Sequence, residues 1–594
     1  MSVNPFSKSS RKVPSDLPPA ARKPPVRALH SALSVARGTA GAAKDFAWIR
    51  VNIPCQAACP AGTDIPGYLE AIAQGDYAKA YRINLEDNVF PAVLGRVCTR
   101  PCEPACRHGW AGLGEPVAIC FSKRSAADFQ GHPEPVVLDK LFPPTGKRVV
   151  VVGAGASGLA AARDLARYGH AVTVLERHSE PGGMMVQGIP PFRLPRALVE
   201  REIGQIGALG VEIRCGVEVS GLDDVVNEYD AVVLAVGTTK VNRPDLPGVQ
   251  ARGVLHGLEF LKAVHAGAAT PVGPRVVVIG GGFTAVDCAR TALRQGAQEV
   301  TVFYRRTAGE MYITPGEVEE MAHEGIRFET QASPEAILEN DGKVAGVRFV
   351  RTRPGPIDAH GRRSFDAIPG SAFTVEADTV LLGTGQAADA SWMAGSPSAK
   401  VTLTGDFAAG ARSLIEAIAD GRRCARTVDA ALMGGDRLRE VVQVEDATST
   451  GRSREMDALP RQLMPARAVA ERGPAVEVET GFSREIAQTE AKRCYLCHYK
   501  FEIDNELCIY CDRCLKVKPV EGCIVKVREM IYDEAGRITG YHKSTGAKDY
   551  NLLYIDQSQC IRCGACREVC PVECIDLQKV SKKTVCASAL AGKV

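Results

Sequence analysis

Between residues 147 and 435 the chain alternates short β-branched runs with Ala-rich stretches whose apolar positions recur at helical spacing. The runs read as buried strands and the stretches as the helices covering them, so parallel sheets wound with helices are expected here. Val149–Val152 and Ala171–Leu175 are two such strands, with a helix over Leu159–Tyr168 between them. A second copy of the pattern starts at Arg275 and ends its second strand at Tyr304. A later strand ends at Gly405–Asp406, ahead of a helix beginning near Ser413. Outside this region the pattern fades. Residues 45–130 carry helical stretches such as Ile65–Gln74, and 131–146 form a bridge rich in proline (Pro133, Pro135, Pro143, Pro144). Residues 436–490 are polar, lack an apolar period and read as a linker wrapping the body; 1–44 read as a flexible lead-in.

The strand ends carry glycine. RVVVVGAGASG places Gly153, Gly155 and Gly158, with Ala156 and Ser157 between them, at a strand-to-helix turn. This spacing permits a tight turn, close approach of a pyrophosphate to the backbone, and close helix–strand packing. Glu176 ends the next strand, where an acid can accept hydrogen bonds from ribose hydroxyls. RVVVIGGGFTAVDCA repeats the turn with Gly280, Gly281, Gly282, Thr284 and Ala285, but its second strand ends in Arg305 and Arg306. Paired guanidiniums suit a 2′-phosphate, which favours NADPH over NADH, although NADP(H) or NAD(H) stays open. Two such turns in one body imply a flavin and a nicotinamide face to face.

Cysteine changes the picture further. The chain has 594 residues and 21 cysteines, with 45% hydrophobic and 24% charged residues and a net charge of +3. That balance argues against a nucleic-acid partner, no apolar stretch has the length of a membrane span, and the start lacks a secretory apolar core. The cysteines cluster at short gaps, which fits metal ligation in a reducing, cytoplasmic setting. Cys560, Cys563, Cys566 and Cys570, followed by Pro571, form C-x2-C-x2-C-x3-C-P, the run that holds [4Fe–4S] cubes in bacterial-type ferredoxins. An earlier half-motif has Cys508, Cys511 and Cys514, but Lys518 stands where a fourth Cys is expected, and Cys523 is the natural substitute. The usual crossover would join Cys508, Cys511 and Cys514 to Cys570, and Cys560, Cys563 and Cys566 to Cys523, with Cys574 a competitor. Cys288, without a C-x-x-C neighbour, reads as a packed helix residue, as do Cys215 and Cys424; Cys586 is left over.

The stretch PGGMMVQGIPPFRLP (181–195), with EPVAICFSKRSAAD and VFYRRTAGEM in the same order, closely resembles the small subunit of NADPH-dependent glutamate synthase. It is similar as well to the N-terminal flavin half of dihydropyrimidine dehydrogenase. The resemblance spans about residues 50–435 and implies FAD, with Gly183, Arg193, Gly237, Gly405, Asp406, Ser413 and Leu414 at the flavin. Phe283 departs from the family's usual Asn. The family's N-terminal segment holds two [4Fe–4S] clusters. Here Cys55, Cys59, Cys98, Cys102 and Cys106 remain, but the opening C-x2-C is missing. EAKRCYLC resembles that opening, moved beyond the flavin body. The resemblance thus implies that Cys494 and Cys497 fold back to join Cys55 and Cys106. Cys59, Cys98 and Cys102 would hold a second cluster, with Cys120 either its fourth ligand or core.

The expected architecture is α/β, with two nested Rossmann-like dinucleotide-binding domains between a helical iron–sulfur domain and a bacterial-type ferredoxin domain. Its expected bounds are 45–130 (iron–sulfur), 147–274 and 371–435 (FAD), 275–370 (NAD(P)), 436–490 (linker) and 491–580 (ferredoxin). Sixteen cysteines in four groups of four would hold four clusters. The expected activity is transfer from NAD(P)H through FAD and the clusters to another subunit or a ferredoxin-linked enzyme. Candidate partners are a 2-oxoacid:ferredoxin oxidoreductase or a glutamate synthase large subunit. A free-standing NADPH:ferredoxin oxidoreductase and a glutamate synthase small subunit are alternatives, and a binding protein with degenerate cofactor sites a third. No side chain need act as acid or base, so no catalytic residue is expected.

Overall fold

A computed structural model describes residues 46–587 apart from 111, 132–135, 269, 315, 358–362, 394–398, 533, 535–537 and 547–548. The proposed lead-in, 1–44, lies outside the described residues, as do Pro133 and Pro135 of the proline bridge.

Two five-stranded parallel sheets follow the same plan. In the first, Arg148–Val152 is central, flanked by Ala171–Glu176 and Glu212–Cys215 on one side and by Ala231–Leu234 and Val401–Leu403 on the other. In the second, Arg275–Ile279 is central, with Glu299–Tyr304 and Arg327–Thr330 on one side and Thr379–Leu382 and Val254–His256 on the other. The central strands are buried along almost their whole length, which is why they are unbroken valine and isoleucine rather than alternating. An antiparallel sheet, Ala332–Asn340, Lys343–Ile357, Arg363–Ala367 and Phe373–Glu376, extends the second unit.

The second unit is larger than the expected 275–370. Val254–His256 and Thr379–Leu382 both pair in its sheet, and the short ladder between Lys240–Val241 and Gln386–Ala387 joins the two crossings. A glycine turn marks the centre of a parallel sheet, not its edge, so strands from before and after it complete the sheet. Cys215 ends a strand instead of packing on a helix.

The expected linker also differs. Leu438–Asp446 is a strand that pairs antiparallel with Ile575–Cys586, and that strand in turn pairs with Tyr499–Ile503. The ferredoxin-like segment therefore runs to Cys586 and takes a strand from the supposed linker. One continuous hydrophobic core runs from Ile49 through the first dinucleotide unit to Val580. The second dinucleotide unit has cores of its own.

Candidate functional site

Each sheet presents its central glycine turn to the N-terminus of the following helix. Gly153 has φ +103°, and a Cβ there would meet the Ala235 carbonyl at 2.5 Å, so only glycine fits. A Cβ on Gly158 would lie 2.0 Å from the Gly153 oxygen, the close helix–strand contact that spacing predicted. Gly155 differs: its backbone is ordinary extended chain and nothing lies within 4 Å of where a Cβ would project. Gly282 repeats this open position at the second turn, where Ala285 packs against Gly383 and Gly281 against the Tyr304 ring. The helices Ala156–Arg167 and Phe283–Arg294 begin without a side-chain cap. Unfilled space beside uncapped helix N–H groups is a fit for an anionic dinucleotide at both turns.

A third helix, Leu414–Met433, begins beside the first turn, with Gly421 packed on the Ser157 carbonyl and Ser157 Oγ 3.0 Å from Thr404 Oγ1. Ser413 and Glu416 close a capping box at its start, so Leu414 opens a helix whose end is already satisfied. Gly183 lies against Gly155, and Gly405 against Ser157. Gly237 has φ +68° with open space beyond its Cα. Burial pushes the Asp406 carboxyl up to about 6, against the lowering effect of the Arg412 N–H at 3.2 Å. Glu176 is buried, and its two oxygens accept the N–H groups of Ala154 (2.8 Å) and His178 (2.9 Å), clamping the first turn.

Three predicted arginines sit in unexpected company. Arg193 forms ion pairs with Asp287 (2.6 Å) and Glu317 (2.7 Å), bracing the first unit against the second. Arg305 and Arg306 both lie over the Phe365 ring, at 5.0 and 5.9 Å, and Arg306 Nε donates to the Arg363 carbonyl. Thr284 sits in the first turn of its helix beside Phe283, whose ring meets Tyr312 edge-on at 6.3 Å. The Tyr312 hydroxyl reaches Glu416 Oε2 at 3.4 Å, so the second turn faces the capped helix of the first.

The cysteines gather into four rings. Cys55, Cys106, Cys494 and Cys497 line one cavity of about 340 Å³ (ring I). Cys508, Cys511, Cys514, Cys570 and Cys574 line a second of about 320 Å³ (ring III), and Cys523, Cys560, Cys563 and Cys566 a third of about 330 Å³ (ring IV). Cys59, Cys98, Cys102 and Cys120 are buried together as ring II, and Cys120 Sγ donates to the Leu94 carbonyl at 3.1 Å. Ring III holds a fifth thiol, Cys574, 3.5 Å from Cys570. Among the described residues no three His, Cys, Asp or Glu side chains converge on a single-ion site.

A feature absent from the sequence reading recurs in every ring. Two residues after Cys98, Cys494, Cys508 and Cys560 stand Arg100, Leu496, Tyr510 and Arg562, all with φ between 49° and 60°. Each donates its backbone N–H to the preceding sulfur, at 3.5, 3.3, 3.4 and 3.4 Å respectively. Non-glycine residues avoid this conformation, and none of the four is Asn or Asp, so no residue type marks these positions locally. Burial, and after it neighbouring cysteines, push Cys55 and Cys102 well up, and burial first brings Cys514 and Cys523 to about 12. Rings of close, desolvated thiols with N–H groups aimed at sulfur fit a multi-iron cluster, whose positive core draws out thiolates.

The rings adjoin in the order II, I, IV, III. Cys102 is close enough to Cys55 to act on its charge, and Cys514 likewise on Cys566. Between rings I and IV, buried Arg107 donates to the Gln557 and Cys560 carbonyls at 2.9 and 2.8 Å. Arg452 spans the same gap, from the Cys494 carbonyl (2.9 Å) to those of Ile561 and Arg562 (3.2 and 3.0 Å).

Paired dinucleotide turns flanked by thiol rings define a pyridine-nucleotide and flavin oxidoreductase carrying iron–sulfur modules at both ends of the described chain. The family model for pyridine nucleotide-disulphide oxidoreductases matches residues 147–408. That for dihydropyrimidine dehydrogenase domain II with its 4Fe-4S cluster matches 50–134, and that for the 4Fe-4S binding domain 553–576. The chain is 35% identical over 510 residues to the beta subunit of the NADP(+)-dependent formate dehydrogenase of Moorella thermoacetica, covering 75% of this chain and 71% of that one. It is 34% identical to the beta subunit of an NADPH-Fe(3+) oxidoreductase of Geobacter sulfurreducens, covering 76% and 75%. It is 32% identical to the glutamate synthase [NADPH] small chain of Azospirillum brasilense, covering 72% and 95%. The chain belongs to the glutamate synthase small-subunit family of FAD-dependent NAD(P)H oxidoreductases with [4Fe–4S] domains. No helix among the described residues is long and apolar enough to cross a membrane.

Proposed function

We propose that this chain is the electron-input subunit of a larger cytoplasmic enzyme, taking electrons from NAD(P)H and delivering them to a partner subunit or a ferredoxin-linked enzyme. The observation that carries the reading is the repeated left-handed turn, one in each of four adjoining thiol rings, with its N–H on sulfur. When bound, a flavin takes two electrons together from a nicotinamide and passes them singly to iron–sulfur clusters. The protein's part is to hold and orient. Gly155 and the start of Ala156–Arg167 would seat the flavin pyrophosphate, with Asp406 and Leu414 toward the ribityl chain and ring. Gly282 and Thr284 would seat that of the nicotinamide, with Arg305 and Arg306 on a 2′-phosphate. Rings I to IV would hold one cube each, ring II closed by Cys120, ring III by Cys570 and ring IV by Cys523. The curated relatives include beta subunits of assembled enzymes, which supports a partner in preference to a free-standing reductase.

Anaerobic protein is expected to carry flavin, and iron and sulfide for four cubes, and to show paramagnetic iron signals on addition of NADPH. The absence of any such signal from reconstituted protein would refute the reading. Anaerobic pull-down with mass spectrometry should return a stoichiometric partner; recovery of the chain alone would favour the free-standing reductase.

A further inference from the structure

Lys123 lies in the helix Ile119–Asp128, one turn past Cys120, and is only 4% exposed. A buried ammonium is strongly disfavoured unless an anion answers it. Among the described residues no carboxylate lies within ion-pair distance of it, and its neutral partner is Asn88 Oδ1 at 3.1 Å. The groups that act most strongly on its charge are the thiols of Cys98, Cys120, Cys59 and Cys102, which are the whole of ring II. A polar chain makes the link explicit: Asn88 Nδ2 donates to Thr63 Oγ1 at 3.0 Å, and Thr63 Oγ1 lies 3.3 Å from Cys59 Sγ.

Two other cations near the rings, Lys518 and Arg100, are answered elsewhere. Lys518, at ring IV, pairs with Glu521 at 3.3 Å and donates to the Ile524 carbonyl at 3.1 Å. Arg100 faces Cys120 but also Glu103, Glu479 and Glu317, and its guanidinium lies 4.2 Å over the Phe121 ring. Lys123 alone among these three has only thiols as its dominant charged neighbours.

From this juxtaposition we propose that Lys123 is the fixed counter-charge of the ring II cluster and raises its reduction potential relative to the same ring without it. The inference rests on the reading of ring II as a cluster site. Four thiolates outnumber the positive charge of a [4Fe–4S] core, so the assembled group is anionic. Each added electron makes it more so, and a fixed cation in a water-poor interior favours the reduced state more than the oxidised one. Lys123 is a potential-setting residue and takes no part as a ligand.

The test is an anaerobic redox titration of the full chain followed by electron paramagnetic resonance, with iron and sulfide counted in the same samples. In Lys123→Met the iron count should stay at the wild-type value. One midpoint should move to a more negative potential by at least a tenfold change in the reduction equilibrium, about 59 mV for one electron. Lys123→Arg should return it toward wild type. Asn88→Asp, which gives the ammonium a carboxylate partner without removing it, should move the same midpoint in the same direction. It decides the matter if Lys123→Met loses iron. Midpoints all unchanged in an iron-replete Lys123→Met and in Asn88→Asp would overturn the proposal. Failure of the underlying reading is distinct, since wild-type protein would then give no cluster signal to titrate.

Discussion

Gly153 and Gly155 stand two residues apart in one motif and answer to different constraints. Gly153 holds a left-handed backbone against the Ala235 carbonyl, so Gly153→Ala strains the fold itself, at about 1–3 kcal/mol. Gly155 has an extended backbone with open space at its Cβ position, so the protein alone gives no reason for glycine. Gly155→Val should therefore leave the thermal midpoint near wild type and the iron count unchanged, while bound flavin falls at least about tenfold. Loss of flavin and of midpoint together would show that the open space serves packing. The motif was legible because glycine is chemically singular. The left-handed Arg100, Leu496, Tyr510 and Arg562 were not, because nothing in an arginine or a tyrosine announces a backbone that only a held sulfur makes worthwhile. Phe365, beneath Arg305 and Arg306, was equally hidden, since it arrives from a strand far along the chain.

At the scale of elements, the helix Pro91–Val97 leads directly into Cys98 and owes its N-terminal satisfaction to another unit. Glu202, buried in the helix Arg196–Ala208, accepts the Ala92 and Val93 N–H groups at 2.8 and 3.2 Å. Burial pushes its carboxyl up to about 7 despite those hydrogen bonds. A raised acid binds its proton more tightly folded than unfolded. Its contribution is thus greatest below the unfolded value near 4.5 and is lost as pH climbs through 7. Wild-type stability should fall by about 2–3 kcal/mol between pH 5 and 7.5 from this group, and Glu202→Gln should lack that slope in anaerobic denaturant titrations. A parallel slope in both proteins would assign the dependence elsewhere. The helix Arg484–Lys492 has a comparable duty, because it delivers Cys494 and Cys497 to Cys55 and Cys106. Cys494→Ala with Cys497→Ala should lose about one cube of iron and sulfide and keep the flavin; unchanged iron would sink the fold-back. That return was legible from the displaced C-x2-C. The strand Leu438–Asp446 was not, because LREVVQVED mixes apolar and charged positions without strict alternation and its partner lies at the far end of the chain.

Across the whole molecule the two iron–sulfur segments, separated by the entire flavin body in sequence, share one hydrophobic core with the first dinucleotide unit. Spacing in the ferredoxin segment, and the family resemblance at the N-terminal segment, assigned the cysteines to groups but could not show which groups adjoin, because adjacency here is made by arginines acting on backbone carbonyls. Arg107 is almost fully buried and follows Cys106 of ring I, yet its hydrogen bonds go to Asn52, Gln557 and Cys560, the last in ring IV. Arg107→Met keeps the apolar stem and removes the donors. Arg562 still donates to the Gln557 and Cys560 carbonyls, so the Asn52 carbonyl is the one that loses its partner, at about 1–3 kcal/mol. The cost falls on the joint between the modules and spares the dinucleotide turns. NAD(P)H-dependent reduction of a small quinone that reacts at the flavin should therefore persist near the wild-type rate. Delivery to a ferredoxin-type acceptor should drop at least about tenfold, the equivalent of 1.4 kcal/mol on a barrier, and protease cleavage within 447–482 should quicken. If both rates fall together, the joint and the flavin site are one cooperative unit. If neither falls, contact between rings I and IV is not on the route electrons take.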